Sequence, residues 1–515
     1  MQGAQLITAF VLLASATQAQ EAGPLSAIDW LSNSVDPTVT VSPLGSEFGT
    51  GVAPLDGAES PVVTVTPLDS GSPDLVGLLP PSMTGLPNTI WSASTESILV
   101  SLVTAERTES VPAIQDFLTV LLLAEAKPPF DAGREGNLFL ARVDKLLEVG
   151  ALQQAQALLE AADPQEPALF RRWFDISLLT GTEDNACATM RDAPDLAPTH
   201  AVRIFCVARG GDWDTAALIL NTGIALGDIQ PDDEQLLVRF LETEFDDHAA
   251  AVPTPDRVTP LKFRLLEAIG EPVPTATLPR AFAHADLRDV ASWRSQLEAA
   301  ERLARYGAVD DNILRALYTA QRPAASGGIW DRAEAFQRFD TAIRARDPVA
   351  VAAALPAAWS AMKDARTEVP FARLYAPDLA ALPLTGDAAA LAFHVLLLSA
   401  DYEAAALNFT ATTDDDIFLS AVARGNVSAV NAKTPAQHTV FAAFSGKTPV
   451  PDSIADLINS QKLGEALLRT IATFGEGMTG DPVAISEALV TLRTVGLEDV
   501  ARRAALQYLL LDRPS

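Results

Sequence analysis

Between Leu146 and Gly227 apolar residues recur every three or four positions, and glycines punctuate the run at Gly150, Gly181, Gly210 and Gly227. Around the first glycine, Val149, Leu152, Ala155, Leu159 and Ala162 fall on one stripe, while Gln153, Gln154, Gln156 and Glu160 fill the opposite face. Such steps line one side of an α-helix. Gly211-Asp212-Trp213-Asp214 opens a second copy, with Trp213, Ala216, Ala217, Leu220 and Ile224 on its stripe. Gly496-Leu497-Glu498-Asp499 opens a third, continuing through Val500, Ala501, Ala504, Tyr508 and Leu511, and Asp401 to Leu407 is a weaker relative. Alanines on a stripe let helix axes approach closely. A glycine just past a helix end takes the left-handed conformation that closes it.

The rest of the body reads the same way. Two helices are predicted over Ser92 to Glu125. Beyond residue 250, helices are predicted at Trp293–Arg305, Asn312–Thr319, Ile329–Arg346, Val349–Met362, Ala388–Leu398 and Asp415–Arg424. Four more follow at Ser453–Asn459, Gly464–Thr473, Pro482–Thr494 and Leu497–Leu511. No alternating run competes with them, so the fold class is all-α. A polar, proline-bearing break at Asp246-Asp247-His248 and Pro253-Thr254-Pro255 divides the helical repeats into an N-terminal set, 92–250, and a C-terminal set, 251–515.

One such hairpin cannot bury its own stripe, so neighbours must stack. The pattern resembles tetratricopeptide-type and related helical-hairpin repeats. The likeness covers the second helix of several hairpins; the full signature of Trp, Leu-Gly, Tyr and closing Pro is absent, and no fixed period of about 34 residues emerges. What the resemblance implies is an irregular α-solenoid rather than a non-repetitive helical globule. It also implies a surface that binds peptides or proteins.

The chain begins with an expected signal peptide, 1–19. An apolar core from Leu6 to Ala16 precedes Thr17-Gln18-Ala19, whose small residues suit signal peptidase and leave Gln20 as the mature start. No Lys or Arg precedes that core, so only the α-amino group supplies positive charge; the alternative is a buried N-terminal helix. The core is short of the ~20 residues that span a bilayer, and no later run reaches that length. Export makes sense of the only two cysteines, Cys187 and Cys206, which are expected to form a disulfide across the turn from Asp192 to Thr199. Closing such a loop stabilises by roughly 3 kcal/mol. The alternative is a pair of buried thiols.

Residues 20–91 change character. Pro, Ser, Thr, Gly, Val and Asp dominate, Lys and Arg are absent, and Val39-Thr40-Val41-Ser42-Pro43-Leu44 returns as Val63-Thr64-Val65-Thr66-Pro67-Leu68. Too little apolar surface is present to offset ordering entropy, so a disordered linker is expected. Within it, residues 26–35 carry a docking-type motif whose Ile28, Trp30 and Leu31 are candidate partner-binding residues.

Candidate chemistry changes this picture little. The stretch from Leu278 to Arg288 sets His284 between arginines and an aspartate, but no Gly-x-Ser-x-Gly or other nucleophile motif accompanies it, and an Arg–Asp network is expected there. The glycines of Arg322 to Arg332 lack the spacing and the lysine of a phosphate loop. If the solenoid has a groove, Arg322, Trp330 and Arg332 are its candidate residues. Five scattered histidines offer no zinc set, so neither metal nor cofactor is expected. A formal net charge of −29 disfavours nucleic acid and anionic lipid as partners.

The function expected is therefore not enzymatic: an exported, periplasmic (or secreted) helical-repeat adaptor or scaffold that binds another protein of the cell envelope. In layout alone it is similar to periplasmic helical proteins that accompany bacterial flagellar motors. The alternatives are an envelope enzyme of lytic-transglycosylase type, with acids from Glu465 to Glu476 but without that family's Glu-Ser pair, or a purely structural envelope protein.

Overall fold

The computed structural model describes residues 72–242 and 252–511. The expected signal peptide, most of the linker, and Ile28, Trp30 and Leu31 lie outside the described residues. So does the centre of the polar break. Among the described residues every regular element is helical, and the one strand-like contact is an isolated parallel bridge between Leu79 and Ala124. The chain is all-α.

Local chemistry accounts for most helix ends. Asp212 and Thr199 accept hydrogen bonds from the backbone N–H of Thr215 and Val202 at 3.1 Å each, starting the helices Trp213–Leu226 and His200–Arg209. Proline opens Pro112–Leu123, Pro167–Thr180, Pro260–Ala268 and Pro482–Thr494, where its missing N–H costs nothing. Gly150 and Gly227 close their helices at φ of 89° and 79°. At Gly210 the backbone stays helical, and Gly211 takes the left-handed turn at 89° instead.

The folded body begins earlier than composition implies. Residues 72–91 hold a 3-10 turn, Pro73–Leu75, and a short helix, Pro81–Thr84. What organises them is a guanidinium: Arg142, fully buried, donates to the carbonyls of Leu122, Val76 and Ala124 at 2.7, 2.9 and 3.1 Å. Buried Asp74 accepts from the Phe139 N–H at 2.6 Å. A Lys- and Arg-free stretch is thus folded by a cation supplied from elsewhere.

The apolar interior falls into three clusters. One spans helices from Pro167–Thr180 to Pro260–Ala268, so the helix after the polar break packs back on the helices before it. A second gathers Trp293–Ala304 through Gly386–Leu397. The third joins the two ends of the described chain. There Glu96–Ala105, Pro112–Leu123 and Asn137–Val149 pack with Leu463–Gly477, Pro482–Thr494 and Glu498–Leu510.

That closure is sealed by polar contacts as well as apolar ones. Gly464 donates its N–H to the Ile90 carbonyl at 3.0 Å, Ser94 Oγ donates to Glu465 at 3.1 Å, and the Ala113 N–H donates to Gln507 at 2.7 Å. Gly464 is required by proximity: a Cβ there would lie 2.5 Å from the Trp91 ring.

Candidate functional site

The helices His200–Arg209 and Glu183–Asp192 are tied together by the Cys187–Cys206 disulfide, with 5.1 Å between their Cα atoms. The expected bridge is present. From this anchored pair a series of aromatic rings runs outward. Buried Phe174 meets Phe205 edge-on at 6.5 Å, Phe205 stacks on Phe240 at 5.8 Å, and Phe240 lies 5.8 Å from Trp213. Phe240, on Pro231–Leu241, is half-buried, and Trp213 is 44 % exposed. The series starts in the core and ends in solvent.

Its outer part lines a groove of about 620 Å³. Facing the aromatics are Arg209, Arg264 and Arg288 with Glu267. The cations are held by acids at the back. Glu183, buried, takes Arg264 at 2.8 Å and Arg209 at 3.3 Å, and Asp184 takes Arg209 at 2.8 Å. Glu267 takes Arg288 at 2.6 Å and also pairs with Arg264. Arg209 additionally sits over the Phe205 ring at 5.7 Å. Two polar atoms in this set, Glu183 Oε2 and Arg264 Nε, have no partner.

A groove of this size, with an aromatic wall and a fixed row of guanidinium groups, has the chemistry to receive both apolar and polar groups: rings can bury the former and arginines can orient the latter. Beside it, Trp213–Leu226 turns Leu218 and Leu226 outward, 65 % and 70 % exposed. Trp213 departs from the sequence reading, which put it on a buried stripe. Only Ala216, Leu220 and Gly223 of this helix are buried. The signal lay in Leu218 and Leu226, large aliphatics at positions the stripe leaves on the polar face.

The sequence-predicted candidates sit elsewhere. Arg322 is exposed at a polar cleft of about 360 Å³ with Gln337 and Thr341. Trp330, half-buried, packs against Trp293 at 5.1 Å. Arg332 points inward, donating to buried Glu301 at 2.9 and 2.8 Å, and Tyr318 donates its hydroxyl to the same carboxylate at 2.5 Å. Trp330 and Arg332 are not lining residues of the Arg322 cleft.

His284 is buried and its Nε2 hydrogen-bonds the Gly150 carbonyl at 2.6 Å. Burial pushes its pKa down to about 4, so at neutral pH it is a neutral donor fixing one helix end. The charged residues beside it take other partners than the expected Arg–Asp pairing: Arg288 pairs with Glu267, and Asp286 accepts from Thr275 Oγ1. Glu465 is buried in the closure, held by Arg469 at 2.9 Å and by Ser94. Among the described residues no His, Cys, Asp and Glu group is placed to hold a metal ion, and no helix is long and apolar enough to cross a membrane. No family model, no curated protein and no solved structure matches the chain.

Proposed function

We propose that this protein is an exported helical-repeat adaptor of the periplasm that holds another cell-envelope protein in the groove beside its disulfide. On this reading the stacked hairpins are an irregular solenoid, and the work is done by shape: a fixed aromatic wall receives a segment of the partner. The carrying observation is the continuous series Phe174, Phe205, Phe240 and Trp213, which ends half exposed in a groove of about 620 Å³. The disulfide supports export, because such bridges persist where thiols are not kept reduced. An envelope assembly such as a flagellar motor is one setting for such an adaptor.

The test compares affinity-tagged wild type with Trp213→Ala and Phe240→Ala, each purified from solubilised envelopes of the cells that export it. A stoichiometric partner is expected with wild type and loss of that partner with either variant, while thermal unfolding stays close to wild type. The same partner recovered equally with both variants contradicts the assignment of this groove.

A further inference from the structure

A separate cavity, of about 260 Å³, lies where three remote stretches of the chain come together: the segment from Arg107 to Gln115, Arg305 and Tyr306 with Arg366, and Gly475 to Thr479. Its lining carries three arginines, Arg107, Arg305 and Arg366, against one carboxylate, Glu109. This inverts the balance of a chain whose net charge is −29. Two more guanidinium groups stand behind. The Arg280 guanidinium carbon lies 3.3 Å from the centre of the Tyr306 ring, and Arg302 interacts electrostatically with both Tyr306 and Arg305.

Their hydrogen bonds go to main-chain carbonyls. Arg302 donates to Thr275 and Leu278 at 2.8 and 2.6 Å, Arg305 to Ala365 at 2.6 Å, and Arg280 to Val149 at 3.2 Å. Carbonyls fix the geometry of a guanidinium without cancelling its charge. The one acid near Arg305 is Glu301, 3.7 Å away and already engaged by Arg332. Burial, and then repulsion from neighbouring cations, holds the pKa values of Arg302 and Arg305 below the ordinary arginine range.

Two further features mark the cavity. Arg366 follows the helix Pro348–Ala365 at φ 55°, in the left-handed region that glycine and asparagine normally occupy, so an arginine is held there against its backbone preference. Gln115, only 7 % exposed, spends its amide NH₂ on the Thr108 and Ser110 carbonyls at 3.0 Å each, which fixes the segment that follows Arg107 along this side of the cavity. Three guanidinium groups, one of them on a strained backbone, thus share one small cavity with a single carboxylate, Glu109.

We infer that this cavity is a binding site for a compact organic anion, a polycarboxylate or a phosphate ester, seated by Arg107, Arg305 and Arg366 with the Tyr306 ring beside it. The inference is independent of the partner groove. Because the lining comes from the beginning, middle and end of the body, bound anion stabilises the closed arrangement by linkage. Arginine is suited to the task, since its planar fork matches carboxylate and phosphate oxygens in pairs.

Calorimetric titration and thermal unfolding of the full-length protein with citrate or with glucose 6-phosphate, at ionic strength held constant with sodium chloride, test this. Binding and a raised unfolding midpoint are expected with at least one: citrate alone identifies a polycarboxylate site, glucose 6-phosphate alone a phosphate-ester site. Arg366→Gly removes a cation and relieves its backbone at once, so the variant should fold as well as wild type and bind roughly tenfold more weakly or worse. Arg107→Gln, at an exposed side chain, should do the same, whereas Arg294→Gln on another face should change nothing. Absence of binding to both anions overturns the inference, and so does binding that survives undiminished in the Arg366→Gly, Arg107→Gln double variant.

Discussion

Two tryptophans divide the molecule. Trp91 stands where the ends of the body meet; it is fully buried, and its ring fills the space that Gly464 leaves by having no side chain. Trp213 stands at the start of a helix in the disulfide-bearing lobe and remains 44 % exposed, the last ring of a series rooted in the core. The junction has used its apolar surface on itself and is closed further by Ser94–Glu465 and Ala113–Gln507. The lobe has not. It stacks its rings, pins its helices with a covalent bridge and leaves an open wall. The difference teaches where to look for function in a body built of packed helices: at the place where a well-held aromatic is not yet covered.

The sharpest way to break the comparison is to remove each ring. Trp91→Ala should cost about 3–5 kcal/mol, the usual loss for emptying a large aromatic site in a core, read as a fall in the denaturant midpoint. Next in size is the bridge. Replacing Cys187 and Cys206 by serine should cost roughly 3 kcal/mol. Hydrogen exchange should then rise across residues 183–209 and stay unchanged in Leu463–Gly477, which would place the loss in the lobe rather than the junction.

A third effect belongs to the closed side alone. Glu106 is buried with neither carboxyl oxygen partnered, and burial pushes its pKa up to about 8. The folded state therefore holds a proton that the unfolded chain releases near 4.5. Stability from this group is complete below the unfolded value and is lost as pH rises towards 8. Glu106→Gln should flatten that decline and raise stability at pH 7 by on the order of 2 kcal/mol, measured as midpoint against pH. Smallest is Trp213→Ala, expected to stay within about 0.5 kcal/mol of wild type, as surface changes do. A loss as large as that of Trp91→Ala would erase the distinction between the two regions.

How far the sequence reveals these regions depends on the reach of each contact. The amphipathic helices are local matters: Pro482–Thr494 has the predicted bounds, and Trp293–Ala304 and Glu498–Leu510 lie within a residue of theirs. Glu368–Ala380 was not anticipated because Pro370 and Pro377 lie inside it, and proline argues against a helix interior. Pro435–Phe444 is absent from the sequence expectation too, although Thr434 and Gln437 form a capping box at its start. The closure is another matter. Ser94 and Glu465 are 371 positions apart, and no periodicity in either segment announces the other. The groove has the same difficulty, since Arg264 reaches Glu183 across 81 positions. The disulfide is readable because a chain with two cysteines has one possible internal pairing.

The central claim is that the lobe's open wall meets another protein, and site-specific photocrosslinking in cells that produce the protein tests it most directly. A photoreactive phenylalanine analogue in place of Trp213 should yield one discrete heavier product on irradiation, and the same analogue in place of Arg294, exposed and not among the groove's lining residues, should yield none. No adduct at position 213, or the same smear of adducts from both positions, would contradict the account.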